Sequence, residues 1–296
     1  MADTVLDPTH TATREIPALP VMTNVQTAIR VLEQAHEEHR ASGVWAMFSG
    51  GDDSLATAIV TSQARGFAGC LHIDTGIGIP ETQQFVIETC RRHGWPLKIY
   101  RAKHYGQNYE ELAIAHGFPG PGAHWRMYVR LKERALRAFI REHKDTHRDR
   151  FVLSTGARLT ESERRMGHVQ QVRREGVKVW VNPIDTWSKA DCHDVITAAG
   201  VPRNPVVELL HMSGECLCGC FAKPDELKEI ALWYPHVAER IRALEQRVAV
   251  TKPRACQWGH RPQRERKRQP AARDSAGRRV GPLCQQCELR YDEDAA

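Results

Sequence analysis

Apolar residues recur along this chain with two different spacings. Within residues 24–39, Val25, Ile29 and Leu32 follow one another at helical intervals, which predicts an amphipathic helix. Short apolar runs that end at turn residues predict buried strands instead. The predicted strands are 44–48, 69–73, 97–100, 151–155 and 178–181, and the later predicted helices are 54–65, 81–93, 125–144 and 225–248. This alternation predicts an α/β fold in which a parallel sheet has helices on both faces.

Three short polar segments follow directly after predicted strands. They are residues 49–54, 74–76 and 156–158. In open parallel sheets, ligands bind outside the carboxyl ends of the strands. We therefore expect these three segments to meet around one binding site at that edge of the sheet.

The overall composition is that of a globular protein. Of the 296 residues, 41% are hydrophobic and 26% are charged, which is sufficient for a buried core. No run of about 18 apolar residues is present, so we expect no membrane-spanning segment. Residues 1–20 lack the apolar segment of a signal peptide, which predicts a cytoplasmic protein with a loose leader over residues 1–23. We expect one main domain over 24–222, followed by a helical, basic and cysteine-rich extension over 223–296.

The most distinctive segment is residues 49–54, which read Ser-Gly-Gly-Asp-Asp-Ser. Two glycines allow the backbone to turn tightly and to bring amide N–H groups close to phosphate oxygens. Ser49 and Ser54 add hydroxyl groups, and the start of the following helix contributes partial positive charge. The lysine of a Walker loop is missing. The segment therefore predicts a phosphate-binding loop of another type, with a plain strand–turn–helix corner as the alternative.

This loop resembles the PP-loop, Ser-Gly-Gly-x-Asp-Ser, of the N-type ATP pyrophosphatases. Later segments resemble one branch of that superfamily, the phosphoadenylylsulfate (PAPS) reductase-like family, and they follow in the family's order. Residues 72–82 resemble its DTG…PET segment, residues 155–165 its G-x-R-x-x-E-S-x-x-R segment, and residues 182–187 its NPI…W element. The resemblance extends over roughly residues 44–221, and four ordered motifs make it specific.

The resemblance implies an adenine-nucleotide alpha hydrolase-like fold that converts ATP to AMP and pyrophosphate with Mg²⁺. It implies that Asp74 and Thr75 lie near the ribose and adenine. The implied nucleotide-binding residues are Ser49, Gly50, Gly51, Asp53, Ser54, Asp74, Thr75 and Gly156. Asp52 fills the variable position of the loop, where an acid beside a triphosphate is favourable only if it points away or helps to bind Mg²⁺.

The resemblance also implies a set of catalytic residues, which are Asp53, Arg158, Arg165 and Lys132. Arg158 and Arg165 would clamp a phosphate or a sulfate, because the planar guanidinium group matches such anions. Surface salt bridges to neighbouring glutamates are the alternative for both arginines. Lys132 and Arg130 lie on a stretch that resembles the family's substrate-facing helix.

That helix carries a stripe of arginines, which are Arg126, Arg130, Arg134, Arg137 and Arg141. Their spacing of three and four residues places them on one face of the helix. For the distal members, a solvated charged face is the simpler interpretation. Some relatives have a Cys-Thr pair in this stretch, and this sequence has none.

Six of the nine cysteines lie in the last third of the chain. Clustered thiols in a chain without a secretion signal bind metal more often than they form disulfides. The C-x-x-C spacing of Cys284 and Cys287 is typical of zinc and iron–sulfur sites. The expected ligands are Cys216, Cys218, Cys284 and Cys287, with Cys220 and Cys256 as alternates. Sulfur-inserting relatives of this fold commonly carry a [4Fe–4S] cluster, which favours a cluster over Zn²⁺, and unligated thiols are the remaining alternative.

The charge of the chain is concentrated in residues 252–280, which hold ten Lys and Arg against two acidic residues. The whole chain has a net charge of only +6. Such a segment fits a polyanionic partner, and a solvated tail without a specific ligand is the alternative.

The remaining question is which acceptor the implied enzyme uses. Sulfonucleotide reductases have a catalytic cysteine in a Glu-Cys-Gly-(Leu/Ile)-His context, and the end of this sequence has none. An ATP site, clustered cysteines and a basic tail are together similar to the ATP pyrophosphatases of DNA phosphorothioation. That similarity implies DNA and a cysteine desulfurase as partners, with a homo-oligomer left open. Sulfonucleotide reduction, tRNA thiolation and a nucleotide-regulated nucleic-acid-binding module are the alternatives.

Overall fold

The computed structural model describes residues 3–4, 23–159, 170–223 and 225–259. Its strands are β1 (Asp3–Thr4), β2 (Gly43–Met47), β3 (Phe67–Asp74), β4 (Leu97–Arg101), β5 (Phe151–Ser154), β6 (Val172–Glu175) and β7 (Lys178–Val181). They form one sheet in the order β1-β4-β3-β2-β5-β7-β6. The five central strands run parallel, whereas β1 and β6 pair antiparallel at the two edges. The predicted α/β fold with a parallel sheet is confirmed.

Helices connect the strands and cover the sheet. They are α1 (Thr23–Glu38), α2 (Asp52–Thr61), α3 (Pro80–His93), α4 (Tyr109–His116), α5 (His124–Tyr128), α6 (Arg134–His143), α7 (Lys189–Ala198), α8 (Pro205–Leu210), α9 (Glu226–Trp233) and α10 (Pro235–Thr251). A π-helical turn, Val129–Glu133, joins α5 to α6. Short 3-10 turns occur at Ala102–Tyr105, Pro121–Ala123 and Pro253–Ala255.

Side chains on the two faces of the sheet pack into separate hydrophobic clusters, because successive side chains of a strand point to opposite faces. In β2, Val44 and Ala46 pack with α1, α2, α3 and α7, whereas Trp45 packs with α6 on the other face. A third cluster joins α4, α8, α9 and α10 beside the sheet. Each fully buried leucine or isoleucine in these clusters contributes about 1.5–3 kcal/mol of transfer free energy.

Two of the predicted helices are not uniform α-helices. The helix predicted at 225–248 is divided at Tyr234, because Pro235 disfavours a helical conformation in the residue before it. Tyr234 accordingly has φ -133° and ψ 65°. The helix predicted at 125–144 contains the π-helical turn, and such turns are frequent at functional sites. None of the helices in the described ranges is both long and apolar enough to cross a membrane.

Candidate nucleotide site

A cleft of about 970 Å³ opens at the carboxyl ends of the parallel strands, and we call it the main cleft. Residues from the loop 49–54 and from 155–158 line it, together with the ends of β2 and β3 and part of the π-helical turn. Two of the three polar segments that were expected at this edge therefore meet here. The third segment, 74–76, does not line the main cleft.

The two glycines of the loop have different structural roles. Gly50 has a φ of +85°, which residues with a side chain rarely adopt. A Cβ atom on Gly50 would also lie 2.7 Å from Cγ2 of Thr82. Gly51 has an ordinary φ of -84° and forms the N-cap of α2. The backbone conformation at position 50 therefore requires glycine. At position 51 the absence of a side chain leaves the N-terminus of α2 accessible to a ligand.

Asn204 fixes the orientation of the peptide group between these glycines. Its Nδ2 donates a hydrogen bond to the carbonyl oxygen of Gly50 at 2.9 Å. All peptide bonds in the described residues are trans, so the N–H of Gly51 points away from that carbonyl group. Gly51 lines the main cleft and Asn204 does not. The N–H of Gly51 is therefore directed toward the cleft, as an anion-binding loop requires.

The serines at the two ends of the loop meet in the cleft. The Ser49 hydroxyl donates to Oγ of Ser54 at 3.1 Å, and the Ser54 hydroxyl donates to the carbonyl oxygen of Gly51 at 2.9 Å. Both residues line the main cleft. Hydroxyl groups can exchange these internal bonds for bonds to phosphate oxygens, because a hydroxyl group both donates and accepts.

Gly156 allows the segment after β5 to pack directly on the start of α2. A Cβ atom at this position would lie 2.7 Å from the carbonyl oxygen of Asp53 and 3.0 Å from the nitrogen of Ser54. Backbone atoms cannot move aside as a flexible side chain can. Gly156 therefore keeps two predicted site segments in contact, and it lines the main cleft itself.

Arg158 pairs with Asp53 in the first turn of α2. The Arg158 Nη2 donates to Oδ2 of Asp53 at 3.1 Å, and Nε lies 3.1 Å from Oδ1 in an ion pair that lacks hydrogen-bond alignment. Cys192 lies buried beside this pair, and burial together with the Asp53 carboxylate raises the pKa of its thiol to about 12. The structure thus places Asp53 and Arg158 together at the cleft, in contact with each other.

Asp52 lines the main cleft and has its carboxylate bound to Arg203 and His193. Its carboxylate accepts two hydrogen bonds from Arg203, at 3.1 and 2.7 Å, and lies 2.9 Å from Nε2 of His193. Although burial raises the pKa of Asp52, the hydrogen bonds from Arg203 and His193 outweigh burial and hold the pKa below its ordinary value. The pairing with Arg203 reduces the repulsion that this acid would exert on a phosphate, and its role in the site stays a prediction.

These pairings preserve the positive end of α2. Two carboxylates in the first turn would otherwise repel a phosphate from the helix N-terminus. Arg158 neutralises Asp53, and Arg203 neutralises Asp52. The N–H groups of the first turn can therefore still attract an anion.

An apolar wall faces the loop across the main cleft. It consists of Met47, Leu71, Ile73 and Leu136, and none of these was singled out from the sequence. Leu71 and Ile73 lie on one face of β3, whereas His72 and Asp74 lie on the other, because successive side chains of a strand alternate. An apolar wall beside a phosphate-binding loop fits the flat ring of a nucleotide base. The alternation within β3 was the sequence signal that could have identified it.

Asp74 and Thr75 lie outside the main cleft. Asp74 lines a second cleft of about 410 Å³, where its carboxylate accepts from the Gly76 nitrogen at 2.8 Å and lies 3.5 Å from Nε of Arg101. The hydroxyl group of Thr75 is buried and donates to the carbonyl oxygen of Glu215 at 2.8 Å. Their assignment to the ribose and adenine stays a prediction, and neither residue lines the main cleft.

Lys132 reaches the main cleft from the π-helical turn. Its Nζ donates to Oε2 of Glu215 at 2.7 Å, and 35% of its side chain remains exposed. Burial lowers the pKa of the Lys132 ammonium group, but the Glu215 carboxylate outweighs this effect and raises the pKa above its ordinary value. The second oxygen of Glu215, Oε1, is buried without a hydrogen-bond partner in the described residues. Lys132 therefore carries a positive charge into the cleft, and Glu215 retains an acceptor.

Residues 213–220 form a loop that contains three cysteines, and we call it the cysteine loop. Its backbone is held by hydrogen bonds from several elements to five of its carbonyl groups. The donors are Thr82 Oγ1 to Ser213, Ile79 N to Gly214, Thr75 Oγ1 to Glu215, Trp258 Nε1 to Leu217, and Tyr109 OH to Cys218. The loop is thus fixed at both clefts, since Glu215 lines each of them.

The thiols of the cysteine loop are close enough to affect one another's ionisation. The neighbouring Cys218 thiol, together with burial, raises the pKa of Cys216 well above its ordinary value. Among the described residues, no group of three or more His, Cys, Asp or Glu is arranged to hold a metal ion. Soft thiolates are nevertheless the donor type that zinc and iron–sulfur clusters take.

Several predicted site residues lie outside the described ranges. They are Arg165, Cys284, Cys287 and most of the basic segment 252–280. Of the four predicted metal ligands, the structure describes Cys216 and Cys218, and the alternates Cys220 and Cys256 are also described. The sequence analysis did not identify Arg203, His193, Asn204 and Glu215, which support the loop and the cleft.

Comparisons with known proteins give the following matches. The family model described as phosphoadenosine phosphosulfate reductase domain matches residues 43–223. An uncharacterized protein of Methanocaldococcus jannaschii is 29% identical over 222 residues, which cover 73% of this chain and 44% of that protein. The chain thus spans less than half the length of this relative.

Solved structures with a similar fold include two whose names describe sulfur or sulfonucleotide chemistry. Phosphoadenylyl-sulfate (PAPS) reductase from Candida auris, in a phosphate complex, is 20% identical, covers 68% of this chain and 93% of that chain, and has a TM-score of 0.47. The U34-tRNA thiolase NcsA from Methanococcus maripaludis, with its [4Fe-4S] cluster, is 13% identical. The match covers 76% of this chain and 80% of that chain, with a TM-score of 0.45.

Proposed function

This chain belongs to the phosphoadenosine phosphosulfate reductase domain family, and we propose that it splits ATP at the α–β phosphate bond in order to adenylate a nucleic-acid phosphate for sulfur insertion. DNA is the acceptor that we propose, as in DNA phosphorothioation. The products of the ATP reaction are then AMP and pyrophosphate.

The orientation of the Gly50–Gly51 peptide is the observation that carries this proposal. The Asn204 bond to the Gly50 carbonyl oxygen turns the N–H of Gly51 toward the main cleft, at the N-terminus of α2. Such an arrangement suits a leaving pyrophosphate, because backbone N–H groups and the helix dipole both stabilise negative charge. Ser49 and Ser54 add two hydroxyl groups at the same place.

The rest of the main cleft fits the other parts of ATP. The apolar wall of Met47, Leu71 and Ile73 suits the adenine ring, and Lys132 supplies positive charge between this wall and the loop. Arg158 neutralises Asp53 beside the phosphates, which makes it a positioning residue in our proposal. Arg165 remains the proposed second clamp on an anion.

The proposed reaction has two displacements. An oxygen of the acceptor phosphate attacks the α-phosphorus of ATP, and the bond from this phosphorus to the pyrophosphate oxygen breaks. The cysteine desulfurase supplies a persulfide, from which a thiol reductant such as free cysteine releases sulfide while the reductant becomes a disulfide. The sulfide then attacks the acceptor phosphorus, and AMP leaves with the attacking oxygen of the first step. Mg²⁺ carried by the triphosphate would offset charge on the leaving group.

The cysteine loop is the proposed place for a metal cofactor. In this proposal, Cys216 and Cys218 bind a [4Fe–4S] cluster or Zn²⁺ together with Cys284 and Cys287. When bound, the group would join the cysteine loop to the C-terminal extension, and a cluster would add redox capacity. The basic segment 252–280 is the proposed contact with the acceptor backbone.

Sulfonucleotide reduction is the second candidate, and the proximity of Cys216 and Cys218 within the cysteine loop favours it. Two adjacent thiols can supply two electrons by forming a disulfide. The release of sulfite from adenylylsulfate needs two electrons. Glu215 precedes this pair directly and lines the main cleft, which supports a role of the thiols next to that cleft.

Product analysis distinguishes the two candidates. The protein is incubated with ATP labelled at the α-phosphate, with and without DNA, and in parallel with adenylylsulfate and PAPS under reducing conditions. We expect AMP and pyrophosphate in equal amounts from ATP, with DNA and a sulfide donor increasing their formation. Release of sulfite from a sulfonucleotide, without any pyrophosphate from ATP, would reject our proposal in favour of reduction.

A further inference from the structure

Aromatic and basic side chains lie beside the main cleft, which Tyr128 lines and where Trp125 stacks on Tyr128. Trp125, Arg126, Tyr128 and Arg130 all lie on α5 and the following π-helical turn, and we call them the aromatic–basic rim. We propose that this rim docks an unpaired segment of DNA by stacking one base on Trp125 and binding the adjoining phosphates. This inference rests on the proposed function and specifies the form of the acceptor.

Trp125 provides an open ring face at the rim. It is 69% exposed, although a tryptophan side chain is usually largely buried. One face of its ring stacks on Tyr128, with ring centroids 5.8 Å apart and an angle of 23° between the rings. Tyr128 in turn lines the main cleft. A base stacked on Trp125 would therefore extend an aromatic stack that begins at the cleft.

The charge of the rim suits a phosphate backbone. Arg126 and Arg130 lie one helical turn apart, and neither guanidinium group is paired with a carboxylate in the described part of the chain. Arg173 lies across the same cleft on the exposed strand β6. Arginines beside an open aromatic ring are the combination by which proteins bind single-stranded nucleic acid.

A second aromatic contact lies next to the rim. His124 packs against Phe221 with ring centroids 4.8 Å apart, and Phe221 is 49% exposed. Phe221 directly follows the cysteine loop in the sequence. A strand that crosses the rim would therefore run close to the end of the cysteine loop.

The rim favours an unpaired strand over a duplex. In a duplex both faces of each base are covered by neighbouring bases, so a protein ring can stack only after the base is unstacked. A single strand presents its bases freely. Its backbone can then place the next phosphate at the mouth of the main cleft, where Tyr128 and Lys132 lie.

The test measures binding of a short fluorescent DNA strand of mixed sequence by anisotropy, over a series of salt concentrations. The full-length variants are Trp125→Ala, Trp125→Phe and the double variant Arg126→Gln/Arg130→Gln. Trp233→Ala is the matched control, because Trp233 is also an exposed tryptophan, at 50%, and lines neither cleft. The same strand annealed as a duplex and its RNA counterpart are measured in parallel.

We expect Trp125→Ala to weaken single-strand binding about tenfold without changing the salt dependence, since stacking involves no counterions. Trp125→Phe should recover most of the affinity, and Trp233→Ala should bind like wild type. Arg126→Gln/Arg130→Gln should lower the slope of log K against log salt by about 0.7 for each phosphate that the variant no longer binds. The duplex should bind with equal strength to wild type and Trp125→Ala.

Several outcomes would overturn the inference. Stacking of an unpaired base would be excluded if Trp125→Ala bound the single strand as tightly as wild type, or if Trp125→Phe did not recover the affinity. It would also be excluded if Trp125→Ala weakened duplex binding as much as single-strand binding. A clear preference for the RNA strand would exclude DNA as the partner. A wild-type dimer that dissociates in Trp125→Ala would identify the rim as an interface between two copies. Failure of the proposed function is distinguishable, because it would appear as absent AMP formation whatever the DNA affinity.

Discussion

Asn204 holds the Gly50 carbonyl oxygen at 2.9 Å through its amide nitrogen, while its Oδ1 accepts from the Val206 nitrogen at 3.0 Å. The residue is only 1% exposed, and the second bond caps the N-terminus of α8. One side chain thus connects the phosphate-binding loop to a helix that starts more than 150 residues later. Its amide nitrogen also donates to Oγ1 of Thr82 at 3.3 Å. The bonds of the amide nitrogen and the capping bond of the amide oxygen can be removed separately.

Asn204→Asp should impair ATP turnover and leave the fold intact. Aspartate caps a helix as well as asparagine does, but its carboxylate cannot donate to the Gly50 carbonyl group. We expect kcat/KM for ATP to fall at least about tenfold, because a misoriented peptide no longer directs its N–H at the phosphate. Asn204→Ala, which also removes the cap, should in addition lower the unfolding free energy by about 1 kcal/mol. Wild-type kcat/KM in Asn204→Asp would show that the loop does not depend on this bond.

The two glycines of the loop should respond differently to alanine. Gly50→Ala places a side chain at a φ of +85° and near Thr82, so we expect a decrease of about 2 kcal/mol in unfolding free energy. Gly51→Ala should cost less than about 1 kcal/mol, since its backbone is ordinary. Both variants should lose ATP turnover. Gly50→Ala disturbs the loop backbone, and a Cβ atom on Gly51 would lie 3.2 Å from Cβ of Ser213, so it would narrow the space between the loop and the cysteine loop. Urea unfolding and AMP formation measure the two effects, and full activity in Gly51→Ala would count against phosphate binding there.

Lys132 pairs with Glu215 in the structure and is also proposed to bind phosphate. A double-mutant cycle separates these two roles. Lys132→Met leaves the buried Glu215 carboxylate without its partner, which should cost about 1–3 kcal/mol because Lys132 is partly exposed. Adding Glu215→Gln should recover most of this stability. If Lys132 binds phosphate, AMP formation should stay low in the stable double variant. Recovery of both stability and activity would make the lysine purely structural.

Asp52 should contribute stability that depends on pH. Its pKa is lowered in the folded protein, so its stabilising effect is present above the ordinary carboxyl pKa and is lost as pH falls through the lower folded value. Asp52→Asn should therefore be less stable than wild type at neutral pH, and the difference should shrink below about pH 4. Urea unfolding of both proteins at several pH values measures this. A difference that does not vary with pH would contradict the ion pair with Arg203.

The sequence predicted the strands that are buried and did not predict the exposed one. Strands β2, β5 and β7 have short continuous apolar runs because helices cover both of their faces. Strands β3 and β4 each include a polar residue within their apolar runs. Strand β6 is exposed at all four positions, so no apolar pattern marks it. The division at Tyr234 was visible in principle, since Pro235 follows it directly. The π-helical turn has no comparable sequence signal.

Within the site, the sequence predicted the residues of the loop 49–54 and missed the residues that support the loop from other parts of the chain. The loop is one contiguous segment, so its glycines and hydroxyl groups are recognisable together as a motif. Arg203 and Asn204 support it from far along the chain, and no spacing rule connects them to the loop. The family resemblance implied that Asp74 lies near the ribose and adenine, and this assignment stays a prediction. Its side chain lies on the face of β3 opposite Leu71 and Ile73 and lines the second cleft, which the motif alone could not indicate.

The most direct test of the central claim follows one oxygen atom. DNA whose phosphodiester oxygens carry a heavy isotope is incubated with the protein, unlabelled ATP, a cysteine desulfurase and cysteine in unlabelled water. If a DNA phosphate oxygen attacks the α-phosphorus and sulfur later displaces AMP, that oxygen leaves with AMP. The account predicts AMP with one heavy oxygen and an equal amount of sulfur in the DNA, measured by mass spectrometry. AMP without the heavy isotope, formed while sulfur enters the DNA, would contradict it.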